Sequence, residues 1–272
     1  MNKIVYTDDQ NKIFYKMTDC GLAPMADALK IQISSSNVYN EMPFENRLIE
    51  LLTAYDDALT ARRSETLIRQ AKLKSKMSFD DLTLSRERGL TPDTKKYIAS
   101  LSWTYPGKVS NITVLGASGS GKTSLLCGIG YHCINQGMTV RYYKANQLLN
   151  DLLSNSVYKV RSLKSIIRRC KVLIIDDLGM NKASDEATNI FYDLLDERLN
   201  ELPVLIGSQV NEEGLRACFT GKAQSDGIIR RLFHHSINVV LKGDPESAEA
   251  SLHNMVLEEP TNTSSDKEVP HD

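Results

Sequence analysis

Residues Gly116, Ala117, Ser118, Gly119, Ser120, Gly121, Lys122 and Thr123 follow the spacing G-x-x-x-x-G-K-T, which suits the capture of phosphate. Glycine leaves room for backbone N–H groups to wrap an anion that a Cβ would hold off. Lys122 is expected to reach the β- and γ-phosphates of a nucleoside triphosphate, and the Thr123 hydroxyl to ligate Mg²⁺. Ser124 continues the run into a helix whose first N–H groups favour an anion. Two further acids, Asp176 and Asp177, close an apolar run at 172–175. Asp176 is expected to hold Mg²⁺, directly or through water, and Asp177 to polarise the attacking water. Ser208 and Gln209 follow another apolar run, where a polar side chain can sense the γ-phosphate or merely end a strand. Arg230 and Arg231 precede Leu232. An arginine there can offset charge on a neighbouring subunit's γ-phosphate, or simply coat a helix. His234 and His235 lack metal-spaced partners and read as structural.

These groups need a scaffold that brings them to one edge. Apolar runs at 112–115, 139–143, 172–175, 204–207 and 237–241 read as buried strands. Helical patterns at 123–135, 146–153, 163–169, 187–200 and 228–234 separate them. Strands joined by helix-length connections predict an α/β fold with a five-stranded parallel sheet covered on both faces. In such sheets ligands bind beyond the carboxyl ends of the strands, where the P-loop and the two aspartates fall. Thr91 with Pro92 predicts a helix start that runs to about residue 102.

Residues 1–88 are expected to form a small all-helical domain, 89–243 the nucleotide-binding domain, and 244–272 an acidic, disordered tail. From 20 to 88 no strand pattern occurs, and Phe44, Leu48, Leu51, Leu52, Tyr55, Leu59, Leu67 and Ile68 mark one apolar helical stripe. The opposite face carries Arg62, Arg63, Arg69, Lys72, Lys74 and Lys76. A second basic cluster, Lys159, Arg161, Lys164, Arg168, Arg169 and Lys171, lies in a stretch free of acids, with Tyr142, Tyr143 and Tyr158 at hand for stacking. Arg168 and Arg169 also suit a helix C-terminus. Arg62, Arg63, Arg69, Lys72, Lys74, Lys144, Lys159, Arg161 and Lys164 are the candidate phosphate-backbone contacts to double-stranded DNA.

Bulk composition agrees with a soluble globular chain of 272 residues, 41% apolar and 25% charged. The net charge of −1 conceals an asymmetry: residues 1–243 hold 32 bases against 26 acids, whereas the last 29 hold eight acids and one lysine. No segment is long and apolar enough for a membrane span and no signal-peptide core opens the chain, so a cytoplasmic protein is expected. Five cysteines without C-x-x-C pairing predict reduced thiols, with Cys127 and Cys133 packed behind the P-loop.

The stretches GLAPMADAL at 21–29, FENRLIELL at 44–52, GASGSGKT at 116–123, VRYY at 140–143, LIIDDLG at 173–179, GSQ at 207–209, RLFH at 231–234 and LKG at 241–243 resemble the IstB-type ATPases of bacterial insertion sequences. These are related to the DnaC helicase loaders within the AAA+ group. The resemblance implies an AAA+ P-loop NTPase that uses ATP and Mg²⁺. It implies a DNA-binding homo-oligomer with nucleotide at subunit interfaces, assisting a transposase in insertion-sequence transposition. It also makes Arg231, rather than Arg230, the residue acting in trans. Two departures stand out: Arg230 occupies a position that commonly carries an acid, and Asp177 replaces the glutamate usual in wider AAA+ proteins. A DnaC-like loader of a replicative helicase, and an ATP-gated DNA-binding switch with little turnover, remain alternatives. Only about thirty residues follow the fifth strand, so the helical lid of AAA+ modules is expected to be missing.

Overall fold

Thr7 opens the first helix by a reciprocal cap: its hydroxyl accepts from Gln10 N at 3.2 Å, while the Gln10 side chain accepts from Thr7 N at 2.8 Å. The helix, Asp8–Asp19 (α1), lies ahead of residue 20, from which the sequence is expected to read as helical. Ala23–Ser34 (α2), Ser36–Tyr39 (α3) and the 28-residue Phe44–Ala71 (α4) follow. The computed structural model describes residues 5–75, 77–80, 89–234 and 236–242. Lys76, the loop at 85–88, His235, the acidic stretch 244–272 and the expectation of a missing lid lie outside the described residues. Two compact units divide between Gln70 and Ala71.

Within the first unit the apolar stripe of α4 is mostly open. Leu51 is buried, but Phe44, Leu48 and Leu52 are exposed, since the short α2 and α3 do not cover a helix this long. Helix α4 ends because Lys72 turns left-handed, with φ 58°. Lys72 and Lys74 therefore do not continue the basic helix face that their spacing predicts; they belong to the second unit.

The second unit starts with Pro92–Ala99 (α5), capped by the Thr91 hydroxyl on Thr94 N at 3.1 Å. It stops short of residue 102 because Leu101 is left-handed. The strands are Asn111–Gly116 (β1), Val140–Lys144 (β2), Val172–Leu178 (β3), Val204–Ser208 (β4) and Ser236–Leu241 (β5). All pairings are parallel, in the order β2-β3-β4-β1-β5. The connecting helices are Lys122–Asn135 (α6), Ala145–Leu152 (α7), Val157–Arg169 (α8), Asp185–Arg198 (α9), Glu212–Cys218 (α10) and Lys222–Phe233 (α11). Helix α10 carries no long apolar period; its seven residues are held by the Asn211 cap and by Leu215 in the core.

Side chains alternate across the sheet. Leu173, Ile175, Val204 and Ile206 join Leu148, Phe191, Leu195, Ile228 and Leu232 in one core layer beneath α7, α9 and α11. Helix α6 packs on the other face, against β1, β3 and β4, with Leu125, Leu126, Ile129 and both Cys127 and Cys133 fully buried. All five cysteines are free thiols. No described helix is long and apolar enough to cross a membrane. The architecture is a five-stranded parallel sheet with helices on both faces, as the strand pattern predicts, preceded by helices.

Candidate functional site

The loop after β1 owes its shape to backbone freedom at three glycines. Gly116, Gly119 and Gly121 have φ of 156°, 77° and 91°, and a Cβ on Gly116 would collide with Leu241 O and the Ser120 hydroxyl. Ala117, Ser118 and Gly119 are exposed at the tip, whereas Ser120 is buried and its Oγ has no partner among the described residues. Gly121 precedes the first turn of α6, which carries Lys122, Thr123 and Ser124. Lys122 is 5% exposed and donates to Gly116 O at 2.8 Å and Ala117 O at 2.6 Å, so the ammonium sits inside its own loop. Burial lowers its pKa, opposed by the charges of Asp176 and Asp177.

Asp176 reaches this loop across an intervening strand. Its β3 backbone is separated from β1 by β4, yet Thr123 Oγ1 donates to Asp176 Oδ2 at 2.6 Å. The gap is Gly207 on β4: a Cβ there would overlap Asp176 Oδ1 and press on Leu126. Tyr142 OH also donates to Asp176 Oδ2, at 2.8 Å. Burial first, and then the Asp176 charge, push the Tyr142 phenol well above its ordinary range, so it stays a donor. Tyr142 is therefore not available for stacking on a nucleic acid, as its spacing suggests; Tyr143 is partly buried, and Tyr158 alone of the three is exposed.

Gly207→Ala should disable the site without unfolding the chain. The methyl must displace a carboxylate, so ATP turnover is expected to fall by about 10²-fold or more, the scale of a misplaced catalytic group. Phosphate release beside a thermal melt checks this; a turnover within twofold of wild type would contradict it.

Asp177 occupies an irregularity. The β3–β4 ladder slips between Ile175 and Leu178, and Asp177 has a left-handed φ of 57°. Its carboxylate accepts from Lys144 Nζ at 2.8 Å, and its N–H donates to Asp176 Oδ1 at 2.9 Å. The bond to Asp177 raises the Lys144 pKa.

Two expected groups are engaged elsewhere. Ser208 is fully buried, and its hydroxyl donates to Leu178 O at 2.8 Å and lies 3.2 Å from Val210 N, tying the ends of β3 and β4 together. Gln209 follows β4, partly buried. Arg231 lies at the opposite end of the sheet from its own P-loop. Its carbonyl accepts from Asn111, the first residue of β1, whereas the loop springs from Gly116, the last. Five strand steps separate the two, about 17 Å. The Arg231 guanidinium stacks on Tyr192 with its centre 4.1 Å from the ring, and donates to Tyr192 OH at 2.9 Å and Asp196 Oδ1 at 3.2 Å. Arg230 is exposed beside it.

Of the basic residues, Arg62, Arg63 and Arg69 are exposed on α4. Lys144, Lys159, Arg161 and Lys164 are exposed on the second unit. Arg161, Lys164, Arg168 and Arg169 line an open groove of about 740 Å³ together with Leu152, Val157, Val160 and Glu186. Arg168 pairs with Glu197.

The model of the IstB-like ATP-binding proteins matches residues 16–252. The chain belongs to the IstB-like ATP-binding family. It is 25% identical over 234 residues to an insertion-sequence ATP-binding protein of Sinorhizobium fredii, covering 84% of this chain and 93% of that one. It is also 25% identical over 224 residues to the ATP-binding protein of insertion sequence IS5376 from Geobacillus stearothermophilus, covering 82% and 88%. The crystal structure of DnaI superimposes with a TM-score of 0.53 at 20% identity, over 61% of this chain and 91% of that one, a likeness of fold. As a member of the IstB-like ATP-binding family the chain binds ATP.

Sequence reasoning missed Gly207, Tyr142 as an Asp176 partner, and the Lys144–Asp177 pair. The alternation of β2 does carry a signal for Tyr142, whose side chain shares a face with Lys144.

Proposed function

We propose that this IstB-like protein is an ATP hydrolase that oligomerises on double-stranded DNA with ATP bound and assists a transposase in insertion-sequence transposition. The observation that carries the reading is the position of Arg231, whose backbone lies beside the first residue of β1, about 17 Å along that strand from the P-loop. An arginine anchored at that end suits another copy's γ-phosphate better than its own, which supports nucleotide at subunit interfaces. The insertion-sequence names of its relatives support the transposition role. The groove lined by Arg161, Lys164, Arg168 and Arg169 supports backbone contacts to DNA.

In this reading the loop N–H groups and Lys122 hold the β- and γ-phosphates. Thr123 and Asp176, hard oxygen donors 2.6 Å apart, suit Mg²⁺, which when bound neutralises charge on those phosphate oxygens. Tyr142 and Gly207 keep the Asp176 carboxylate in place. A water oxygen attacks the γ-phosphorus as Asp177 accepts its proton, and the bond to the bridging oxygen breaks to leave ADP and phosphate. Ser208 shapes the strand ends, Gln209 is the nearer candidate for orienting the water, and Arg231 serves the neighbouring site.

Particle size and duplex retention measured with ATP, ADP and no nucleotide test the assembly. Large, duplex-bound particles are expected with ATP alone, and a monomer indifferent to both ligands would sink the reading. Arg231→Ala should keep ATP binding yet lose hydrolysis by about 10³-fold, the scale of arginine fingers elsewhere. Mixing it with Lys122→Ala should restore part of the activity, because each variant supplies the half of the site that the other lacks.

A further inference from the structure

We propose that the acidic segment 244–272 of this same chain docks in the open groove along α8, and that a DNA duplex must displace it to bind there. The displacement rests on the reading above, in which the groove meets DNA. The docking stands on the groove and the segment alone.

The groove offers two chemistries side by side. Arg161, Lys164, Arg168 and Arg169 give it positive charge, with Glu186 as the acid among its lining residues. Arg161 and Lys164 form no ion pair among the described residues, whereas Arg168 is held by Glu197. Leu152, Leu153, Val157 and Val160 give the groove apolar surface, and Val157 is 71% exposed. Duplex phosphates account for the bases but leave the apolar surface in water. An occupant with apolar side chains as well as acids would cover both.

The segment carries the matching set. It holds eight acids and one lysine, against a body in which bases exceed acids. Leu252, Met255, Val256 and Leu257 cluster within it, and Glu258 and Glu259 follow at once. An apolar cluster with acids beside it complements an apolar surface with bases beside it. The family match ends at residue 252, so Glu258, Glu259 and the acids after them lie outside the matched region. Reach is sufficient. β5 and β2 are the two edges of the sheet, about 19 Å apart, and α8 follows α7 and leads into β3. Residues 242–251 span about 33 Å when extended, which carries Leu252 across with length to spare. A tether this short gives an effective concentration on the order of 1 mM. A segment that binds the groove in trans with a Kd of about 100 µM is then docked about ten times out of eleven, and lowers the affinity of a competing duplex about tenfold.

The test uses the full chain in three forms: wild type, a triple-serine protein (Leu252→Ser, Met255→Ser and Val256→Ser), and a charge-reversed protein (Arg161→Glu with Lys164→Glu). Each is titrated by fluorescence anisotropy with a labelled peptide of residues 244–272 and, at saturating ATP, with a labelled linear DNA duplex. A thermal melt on each protein establishes that it is folded. The triple-serine protein keeps every acid of the segment, so general repulsion between the segment and DNA is unchanged and only docking is lost. It should bind the peptide with a Kd of about 100 µM, about tenfold tighter than wild type does, and the duplex about tenfold tighter than wild type. The charge-reversed protein should not bind the peptide. Peptide binding that survives charge reversal overturns the proposal, as does equal peptide affinity for wild type and the triple-serine protein. If no form takes the peptide while charge reversal weakens duplex binding, the groove serves DNA alone and the docking fails with the functional reading intact. If no form binds duplex, the functional reading fails, and the peptide titrations alone decide the docking.

Discussion

Lys122→Ala is expected to lose ATP turnover by at least about 10³-fold, the range in which removal of a charge-stabilising group from a phosphoryl-transfer site falls. The reason lies in where the ammonium sits. It is 5% exposed and holds two carbonyls of its own loop, Gly116 O and Ala117 O. Burial works against its charge while Asp176 and Asp177 support it. Such a group is placed before substrate arrives, and phosphate oxygens are better partners for it than neutral carbonyls, since their negative charge adds Coulomb attraction that a carbonyl dipole lacks. Loss of one such contact weakens ATP binding by about 1.5–3 kcal/mol, or 10- to 150-fold. Turnover falls further because charge builds up in the transition state just where the cation is missing. Lys122→Arg should not rescue the activity: a planar fork is larger than an ammonium and cannot sit within this loop without displacing it. Saturating-ATP phosphate release, fluorescent-nucleotide titration and a melting curve together provide the check. Retention of a tenth of the wild-type turnover would contradict the assignment, and a collapsed melting temperature would mean that the alanine protein reports folding instead.

Arg198→Met is expected to leave the chemistry intact while costing about 3 kcal/mol of stability, the largest single loss anticipated outside the hydrophobic core. Arg198, the final residue of α9, is 2% exposed. Its guanidinium donates to Ile167 O at 2.7 Å, Cys170 O at 3.2 Å, Lys171 O at 3.3 Å and Pro203 O at 3.1 Å. One side chain therefore satisfies the end of α8, the approach to β3 and the approach to β4. Two effects oppose each other. Burial depresses the Arg198 pKa, and its Nε has no partner among the described residues, so methionine relieves a desolvation cost. Against this, four carbonyls lose a charged donor; Leu173 N still donates to Pro203 O at 3.3 Å and Cys170 Sγ to Ile167 O at 3.1 Å, while the loss at Cys170 O and Lys171 O costs about 1–3 kcal/mol for each that water cannot reach. The carbonyls win because two of them lack such a replacement. A fall in melting temperature of roughly 6–12 °C follows for a unit of this size. Turnover measured at low temperature should stay within about twofold of wild type, because Arg198 is at the amino ends of the strands, away from the P-loop. A melting temperature within about 2 °C of wild type would show that the desolvation term dominates.

Much of this molecule is legible without coordinates, for local reasons. The P-loop is contiguous, so its eight residues announce their chemistry by spacing. All five strands are apolar runs bounded by helical periods, and the structure moves their ends by no more than three residues. The Thr91–Pro92 helix start is a short-range device and appears where expected. Difficulty begins where the determinant is distant or weak. Helix α10 is too short to show a period. Lys72 ends α4 without a glycine or proline to warn of it. The apolar stripe of α4 implies a cover that α2 and α3 do not supply in full.

The sequence by itself determined that ATP-site residues exist, that a parallel sheet carries them, and that Asp176 and Asp177 fall at a strand end. Tertiary structure decided what each of them touches. Strand order places β4 between the loop and Asp176, and only then does Gly207 become a residue that must lack a side chain. Parallel pairing of β2 with β3 brings Tyr142 to Asp176 and Lys144 to Asp177, which separates two neighbouring acids into a buried and an exposed partnership. The backbone of Arg231 lies beside Asn111 at the start of β1, rather than beside Gly116 at its end, which no spacing along the chain reveals. The physical reason is the same in each case: periodicity and motif spacing are properties of adjacent residues, whereas hydrogen-bond partners across a sheet depend on a strand order that no stretch of the chain contains.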